Sequence, residues 1–371
     1  MTLADNSIPE ITDDLLLLHD IIIDGSYHNN LYSPGSYWDR KSKNAISEIK
    51  RCGIKDFRGG SNLIGQSYSD NSPIDIRSCL DFGLRKILLW VTKLYPFSII
   101  FNEQVELTRN YYNTSIQLYR EMSSRSPRIK ELLLKYKVPY SLLGGCKSVV
   151  KVNGVDYSIH YLNLLEQHDN LSTHIQFDNV HTVFEIGGGF GTNIHLLIEN
   201  YPNIKKVIYL DILPNLYVGI QYLKAFYGDA VCDYNTLKKA DVIKFSDNNE
   251  LEIFCIPPWK IENLQTPIDL FMNSHSFVEM PKEVASNYAN HIMKLGGTEL
   301  TIALISYSNY DPTTTFAPSD LPKFFAGGFF QSFECGTLMN TSVTNLYYIS
   351  DGKPPRNPYP YSISLRERNI L

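Results

Sequence analysis

The sequence lacks paired cysteines and any cluster of metal-binding side chains. Its six cysteines are widely spread, and none forms a Cys-x-x-Cys pair or joins histidines at the spacing of zinc ligands. A scattered set of this kind favours thiols kept in a reducing compartment. We therefore expect a cytoplasmic protein that has no structural zinc and does not depend on disulfides.

A surplus of positive charge and a long apolar run are also missing. Lysine and arginine number 34 against 39 aspartate and glutamate residues, which leaves a formal net charge of −5 at pH 7. Proteins that hold nucleic acid by neutralising many phosphates need a basic surplus. The apolar windows at 15–23 and 87–101 contain charges and stay below the roughly 20 apolar residues of a bilayer crossing. We predict no nucleic-acid partner and no membrane span.

The chain changes texture near its middle, and its length of 371 residues favours two domains. The first 170 residues are mostly helical in pattern and show no run of alternating strands. Amphipathic stretches lie near 12–24, 75–95, 102–122 and 127–137, with a loop rich in glycine, serine and asparagine at 58–73. We predict a helical N-terminal cap over 1–170, which could mediate a homodimer, and a second domain over 171–371.

Apolar strand-like runs alternate with helical segments from about residue 180 onward. The runs lie at 181–189, 206–212, 251–256, 268–274 and 299–307, followed by a late pair in FFQSFECGTL and VTNLYYIS. This alternation is typical of a parallel sheet that is buried on both faces. Too few residues separate the last two strands for a helical crossover, so they should form an antiparallel hairpin at one edge. The predicted fold class is α/β, a doubly wound Rossmann-like sheet.

A glycine-rich turn, EIGGGFG at 185–191, directly follows the first of these strands and precedes a helix. Glycines at such a turn let the backbone approach a ligand closely, and the helix start presents free N–H groups. Asp211 stands at the end of the next strand, where a carboxylate can accept hydrogen bonds from both hydroxyls of a ribose. The pattern predicts a nucleotide-like cofactor with a free ribose.

The spacing of the glycines helps to choose between two such cofactors. A dinucleotide site has the pattern G-x-G-x-x-G, whereas here position 192 is a threonine. The glycines present are Gly187, Gly188, Gly189 and Gly191. The carboxylate of Glu185 would repel a pyrophosphate but suits a cationic amino group. These features favour S-adenosylmethionine over NAD.

The segment EIGGGFG resembles motif I of the class I S-adenosylmethionine-dependent methyltransferases, and YLDI at 209–212 resembles their ribose-binding acidic motif. The resemblance implies a seven-stranded sheet with a reversed last strand. It also implies that Glu185 and the glycine backbone hold the methionine part, that Asp211 holds the ribose and that Ile212 lies against the adenine. The polar residue that often binds the adenine amine is replaced here by Pro257-Pro258-Trp259.

The segment IPPW at 256–259 is close to the Asn/Asp-Pro-Pro-aromatic motif of methyltransferases that act on amino groups of DNA bases. The first residue of that motif accepts hydrogen bonds from the amine, which the side chain of Ile256 cannot do. We therefore expect a strand end capped by proline, with Trp259 as a packing residue.

A second informative segment is DLFMNSHSFVEM at 269–280. Ligands of open α/β sheets bind outside the carboxyl ends of the strands, so Asn273 and His275 should emerge beside the cofactor. A helix that begins near Ser276 would place His275 and Glu279 one turn apart, where the carboxylate can orient the imidazole. We predict His275 as general base, assisted by Glu279 and Asn273. Alternatively, His275 only caps a helix and Glu279 faces solvent.

The same segment resembles an Asn-x-x-Ser-Phe-x-Glu-Met element of a family of sugar O-methyltransferases from bacterial polysaccharide and natural-product clusters. The matching residues are Asn273, Ser276, Phe277, Glu279 and Met280, and the resemblance extends loosely from about 135 to 350. It implies methyl transfer to a hydroxyl of a sugar or sugar-containing metabolite. A sugar hydroxyl needs a base or a metal, and no acidic pair here has ligand spacing, so no metal is predicted.

The motifs leave the acceptor and the activity partly open. An amine, a phenol or a peptide would use the same cofactor residues, and a subunit that binds S-adenosylmethionine without catalysis would keep them too. Tyr307, Asn309, Tyr310 and Asp311 follow the fifth strand and are candidates for the wall of the acceptor site.

Overall fold

A computed structural model describes residues 9–25, 30–58, 126–138, 140–146, 149–308, 314–325, 330–337 and 340–351. The helices predicted at 75–95 and 102–122, nearly all of the loop at 58–73, and Asn309, Tyr310 and Asp311 lie outside these ranges. The described residues fall into two compact units. One contains the described residues within 9–54, 168–336 and 343–351, and the other contains those within 55–167 together with 337 and 340–342.

The helices and strands have the following bounds. The helices are α1 (Leu15–Gly25), α2 (Ser36–Cys52), α3 (Ser126–Lys135), α4 (Ile159–Ser172), α5 (Thr192–Asn200), α6 (Asn215–Tyr227), α7 (Tyr234–Leu237), α8 (Ser276–Glu279) and α9 (Lys282–Gly296). The strands are β1 (Val149–Val152), β2 (Val155–Ser158), β3 (Thr182–Ile186), β4 (Lys206–Leu210), β5 (Val231–Cys232), β6 (Glu252–Ile256), β7 (Leu270–Ser274), β8 (Thr301–Tyr307), β9 (Gln331–Thr337) and β10 (Asn340–Ser350).

The first unit contains a mixed sheet with the strand order β5-β6-β4-β3-β7-β8-β10-β9. The strands from β5 to β8 are parallel, and β10 pairs with β8 in the antiparallel direction. The predicted doubly wound sheet with a reversed last strand is confirmed. Within the described residues the sheet has eight strands, because the two-residue strand β5 extends the predicted seven at one edge.

The strand order places a switch point at the centre of the sheet. From β3 the chain proceeds to β4 and β6 on one side, and then returns to β7 on the other side of β3. The connections that leave the carboxyl ends of β3 and β7 therefore diverge and open a crevice, which is where ligands of doubly wound sheets bind. The glycine turn follows β3 and His275 follows β7, so both predicted site segments lie at this crevice.

The core of this unit explains the continuous apolar runs of the sequence. Every residue after the first is buried in β3, β4 and β6, because helices cover both faces of a parallel sheet. One face packs against α9, whose buried residues include Val284, Ala285 and Ile292. The buried strand residues hold the ends of β3 and β7 in register.

The segment 9–54 belongs to the same compact unit as the sheet. The hydroxyl of Tyr217, in the first turn of α6, donates to Asp13 Oδ1 at 3.1 Å and accepts from the N–H of Asp14 at 2.8 Å. The hydroxyl of Tyr234 in α7 donates to Asp24 Oδ2 at 2.7 Å. These bonds attach α1 to the helices that follow β4 and β5. The predicted boundary between residues 170 and 171 stays a prediction.

The second unit contains a β-hairpin at 149–158. The prediction that the first 170 residues contain no strands is therefore wrong for this segment. Strands β1 and β2 pair in the antiparallel direction around Asn153 and Gly154, which have φ angles of +50° and +85°. Two residues with positive φ form the type of turn that matches the twist of a hairpin, and Asn-Gly is its preferred sequence. The signal was therefore present in the chain.

Two kinds of feature are not found in the described ranges. None of the helices there combines the length and the apolar character that a membrane crossing requires. No three histidine, cysteine, aspartate or glutamate side chains of the described residues come together as metal ligands would.

Candidate functional site

The glycine turn after β3 adopts a conformation that needs glycine. Gly187 has a φ of +72°, and a Cβ there would overlap the side chain of Ser276. A Cβ on Gly188 would overlap the carboxylate of Glu185. Gly189 and Gly191 complete the turn, and α5 begins directly after Gly191. The turn is thus packed tightly against Glu185 on one side and against the segment after β7 on the other.

Two contacts from β4 hold this turn. The N–H of Gly187 donates to the carbonyl of Leu210 at 2.9 Å. The fully buried hydroxyl of Tyr209 donates to the carbonyl of Gly189 and lies 3.0 Å from the carbonyl of Asn215. Because these groups lie on a buried strand, the turn is supported from below by the sheet.

Asp211 lies directly after β4 and faces the glycine turn. Its side chain is 4% exposed, and its oxygens accept hydrogen bonds from the N–H of Gly189 at 3.0 Å and of Ile212 at 2.7 Å. Burial raises the pKa of Asp211 well above its usual range, the charge of Glu185 raises it further, and the two backbone N–H groups oppose these effects. The predicted ribose-binding carboxylate and the glycine turn are therefore brought together.

Glu185 carries the least satisfied carboxylate of this site. It is 2% exposed, and its Oε1 accepts a hydrogen bond from Asn193 Nδ2 at 2.8 Å. Its Oε2 is buried and has no hydrogen-bond partner among the described residues. Burial raises the pKa of Glu185 from 4.5 to about 7, and the bond from Asn193 only partly offsets this. Such a carboxylate is stabilised by a cation that also donates hydrogen bonds.

Asn193 is a site residue that the sequence interpretation missed. It lies in the first turn of α5, and its amide also lies 3.9 Å from the sulfur of Met272 on β7. A polar side chain in the first turn after a glycine motif points back toward the motif. That position was the signal that could have identified it.

The raised pKa of Glu185 predicts how stability depends on pH. Between about pH 4.5 and 7 the native protein keeps a proton on Glu185 that the unfolded chain releases. The free energy of unfolding should therefore fall as the pH rises through this window, by up to about 3 kcal/mol at roughly 1.4 kcal/mol per pH unit. Urea denaturation of the ligand-free protein and of Glu185→Gln between pH 5 and 8 measures the difference. Equal slopes in the two proteins would contradict it.

Asn273 lies at the end of β7, and both polar atoms of its side-chain amide form hydrogen bonds within the site. Its Nδ2 donates to the carbonyl of Ile186 at 2.7 Å and to Ser276 Oγ at 2.6 Å, and its Oδ1 accepts from the N–H of Phe277 at 3.2 Å. These bonds join the end of β3 to the start of α8. A catalytic role for Asn273 stays a prediction, and its described contacts position the backbone.

His275 connects β7 to α8 in a strained conformation. Its φ is +68° and its ψ is −35°, values that side-chain-bearing residues rarely adopt. The N–H of His275 donates to the carbonyl of Ile305 on β8 at 2.7 Å. Its Nδ1 lies 2.9 Å from Ser274 Oγ, and its Nε2 lies 3.1 Å from Asn345 Oδ1. The predicted start of a helix at Ser276 is confirmed, with His275 as the residue before it.

Glu279 is buried rather than facing solvent, and its described partners differ from the predicted one. Trp38 Nε1 donates to Glu279 Oε2 at 2.7 Å, and the hydroxyl of Tyr307 donates to Oε1 at 2.9 Å. The described partners of Glu279 do not include His275, so the predicted pairing of these two side chains stays a prediction. Tyr307, which donates to Glu279, has its ring centroid 4.6 Å from that of His275. The sequence pattern could not identify Trp38, because it lies 241 positions earlier in the chain.

The remaining predicted residues lie beyond β4 and β6. Ile212 follows Asp211 and is half-buried. Trp259 packs edge-on against Tyr234 at 6.1 Å between ring centroids, and it fills the space where Gly25 has no side chain. The strand end capped by proline is followed by a 3-10 helix over Pro258–Asn263, so Trp259 is a packing residue as expected.

Comparisons with other proteins give structural likenesses only. No protein-family model matches the chain, and no curated protein sequence matches it significantly. The mitomycin 7-O-methyltransferase has a TM-score of 0.36 and 12% identity over 52% of this chain and 55% of its own, about half of that enzyme. Magnesium protoporphyrin IX methyltransferase from Synechocystis PCC 6803 with bound SAM has a TM-score of 0.35 and 13% identity over 52% and 79%. An O-methyltransferase from Bacillus cereus in complex with SAH has a TM-score of 0.33 and 11% identity over 63% and 89%. Likenesses at this level carry no information about the reaction.

Proposed function

We propose that this protein is an S-adenosylmethionine-dependent O-methyltransferase that acts on a hydroxyl of a sugar or sugar-containing metabolite. The observation that carries the cofactor assignment is a buried oxygen of Glu185 beside the glycine turn, for which the described residues supply no hydrogen-bond partner. An ammonium group supplies both the charge and the hydrogen bond that this oxygen needs. A dinucleotide would instead place a doubly charged pyrophosphate beside two buried carboxylates, Glu185 and Asp211.

The residues of the site fit the parts of this cofactor in order along the crevice. Glu185 would hold the amino group, and the backbone of the glycine turn would approach the methionine part. Asp211 would accept hydrogen bonds from the ribose hydroxyls, since its two oxygens together have capacity beyond the N–H groups of Gly189 and Ile212 and the side chain of Asn215. Ile212 would lie against the adenine. S-adenosylmethionine supplies a methyl group bound to a cationic sulfur. When the acceptor oxygen takes the methyl group, the electron pair of the broken carbon–sulfur bond stays on the sulfur.

His275 is the proposed general base for the acceptor hydroxyl. A sugar hydroxyl is a weak nucleophile, so its proton must leave as the new bond to carbon forms. His275 lies at the crevice, and an imidazole in its neutral form can accept a proton. The bond from the N–H of His275 to the carbonyl of Ile305 fixes the backbone, and the imidazole contacts Ser274 Oγ and Asn345 Oδ1. The protein thereby contributes alignment as well as proton removal.

The sugar acceptor is supported by the resemblance of NSHSFVEM to the sugar O-methyltransferase element and by the presence of a histidine base. An amine or a phenol would depend less on such a base, because either is a better nucleophile near neutral pH. A subunit without catalysis would keep Glu185 and Asp211 but would not need His275.

Binding of two truncated ligands tests the cofactor assignment without turnover. S-adenosylhomocysteine and 5′-methylthioadenosine both carry adenine, ribose and sulfur, but only the first has an amino group for Glu185. We expect Glu185→Gln to lower the affinity for S-adenosylhomocysteine by about 10- to 100-fold, which is the contribution of one charged hydrogen bond. The affinity for 5′-methylthioadenosine should stay within twofold of that of the wild type. Asp211→Asn should weaken both ligands. Titration calorimetry measures the six affinities of the two ligands for the wild type and the two variants.

If Glu185→Gln loses the same factor of affinity for both ligands, the assigned position of the amino group is wrong. Tight binding of NAD, with no binding of S-adenosylhomocysteine, would overturn the choice of cofactor.

A panel of acceptors tests the substrate class. Nucleotide sugars, free saccharides, amines and phenols are incubated with S-adenosylmethionine, and S-adenosylhomocysteine is followed by mass spectrometry. We expect turnover on a saccharide or a glycosylated metabolite. Turnover restricted to an amine or a phenol would overturn the sugar assignment, and cofactor binding without any turnover would favour a subunit without catalysis.

A further inference from the structure

The reversed last strand brings a side chain to His275 from a distant part of the chain. Strand β10 is antiparallel to β8, so its early residues lie at the edge where β7 and β8 end. Asn345 is paired with Tyr307 in this ladder, and the two side chains therefore point to the same face of the sheet. Asn345 is 4% exposed, and its Oδ1 lies 3.1 Å from His275 Nε2.

The imidazole of His275 is contacted at both of its nitrogens. Ser274 Oγ lies 2.9 Å from Nδ1, on the side opposite Asn345. A hydroxyl can donate to a ring nitrogen or accept from it, whereas an amide oxygen can only accept. An Asn345 oxygen that faces Nε2 therefore favours a proton on Nε2, and the hydroxyl of Ser274 can then donate to Nδ1.

We propose that Asn345 is a positioning residue that holds His275 in the tautomer protonated on Nε2, and that Ser274 relays the proton of the acceptor hydroxyl to Nδ1. This proposal rests on the proposed function, in which His275 is the base. With Nε2 donating to Asn345, the lone pair of the neutral imidazole is on Nδ1, and the hydroxyl of Ser274 points its proton toward it. In this arrangement Nδ1 accepts the proton, and a third group, Asn345, orients the ring through Nε2.

The protons balance without a further reactant. The acceptor hydroxyl gives its proton to Ser274 Oγ while the proton of Ser274 passes to His275 Nδ1. The acceptor oxygen gains the methyl group, and the imidazole becomes an imidazolium that donates to Ser274 and to Asn345. After the product leaves, the imidazolium loses one proton to solvent and the starting tautomer returns.

Two ionisable groups of the described residues lie close to this chain of contacts. The ring centroid of Tyr307 in β8 lies 4.6 Å from that of His275. The hydroxyl of Tyr307 donates a hydrogen bond to Glu279 of α8. Glu279 also accepts from Trp38, so each of its two oxygens accepts a hydrogen bond from a described donor. A carboxylate introduced at position 345 would be a second acidic side chain near His275.

The tautomer can be measured without any turnover. The nitrogen chemical shifts of the imidazoles of the ligand-free protein distinguish a protonated from an unprotonated ring nitrogen, and His275→Gln assigns the signal among the nine histidines. We expect the wild type to be protonated on Nε2 at neutral charge. Asn345→Leu should lose this preference, and Asn345→Asp should keep it. A wild-type imidazole protonated on Nδ1 would overturn the proposal whatever the activity.

Kinetics test the consequence. Asn345→Leu should lower kcat by about 10- to 100-fold, the cost found when a group that orients a catalytic or metal-bound histidine is removed. The affinity for S-adenosylhomocysteine should not change. Asn345→Asp should keep most of the wild-type kcat. The acid limb of its kcat–pH profile should lie about one pH unit higher, because a nearby negative charge favours the imidazolium. Asn179→Asp, at an exposed site, is the matched charge control.

Ser274→Ala should lower kcat by at least about tenfold, while leaving the tautomer of His275 unchanged. Loss of cofactor affinity and thermal stability in both Asn345 variants, with no shift of the pH profile, would show a merely structural role and overturn the proposal. An Nε2 proton that depends on Asn345 in a protein that methylates no hydroxyl would support the positioning and overturn the proposed function instead.

Discussion

Replacement of His275 by glutamine is expected to lower kcat on the best hydroxyl acceptor by about 10²- to 10⁴-fold, the usual contribution of a positioned general base. Glutamine has a similar size, and its amide can bond to Ser274 and Asn345 in place of the imidazole. It cannot take up a proton near neutral pH, so only the proton transfer is lost. Initial rates under saturating S-adenosylmethionine measure the effect, and calorimetry with S-adenosylhomocysteine should give an affinity within twofold of the wild type.

The matched control for this substitution is His181→Gln, since His181 is exposed and precedes β3. Its kcat should equal that of the wild type. If His275→Gln keeps full activity on a saccharide, the assignment of the base is wrong. If it loses cofactor affinity together with kcat, the segment after β7 supports the glycine turn and the loss of rate has a structural origin.

Replacement of Gly187 by alanine is expected to abolish cofactor binding and to lower the free energy of unfolding by about 2 to 5 kcal/mol. A left-handed backbone costs a side-chain-bearing residue roughly 1 to 2 kcal/mol, and an overlap in a packed region costs about 1 to 3 kcal/mol more. The overlap falls on Ser276, which cannot move freely because Asn273 donates to its hydroxyl at 2.6 Å. Urea denaturation and calorimetry with S-adenosylhomocysteine measure both effects.

Gly154→Ala separates the two causes. Gly154 also has a positive φ, of +85°, but nothing lies within 4 Å of the position that a Cβ would take. This variant should lose only roughly 1 to 2 kcal/mol, from the backbone conformation alone. Addition of Ser276→Gly to Gly187→Ala should recover part of the lost stability. Equal costs for Gly187→Ala and Gly154→Ala would show that the contact with Ser276 is easily relieved.

Most of the sheet was predictable because a buried strand has a local signature. The runs that became β3, β4 and β6 are predominantly apolar, and the helices between them imply parallel pairing. The short connection before β10 implied the reversed strand. The hairpin at 149–158 was missed although Asn153-Gly154 is a local signal, because its strands have only four residues each.

The cofactor residues were predictable for a geometric reason. In a parallel sheet the carboxyl ends of neighbouring strands lie at one edge, so Glu185 on β3 and Asp211 after β4 had to lie near each other. Their environments were not predictable to the same degree. The unpartnered oxygen of Glu185 results from the exact packing of Gly188 and Asn193 around it, and this packing sets its pKa near 7.

The sequence by itself determined the α/β class, the glycine turn and the two carboxylates beside it, because each of these follows from periodicity or from residues close together in the chain. Only the tertiary structure decided the partners of Glu279 and His275. Trp38 reaches Glu279 from α2, and Asn345 reaches His275 from the reversed strand β10. Both pairs are separated by at least 70 positions, and their contacts depend on strand register and helix packing, which no local pattern encodes.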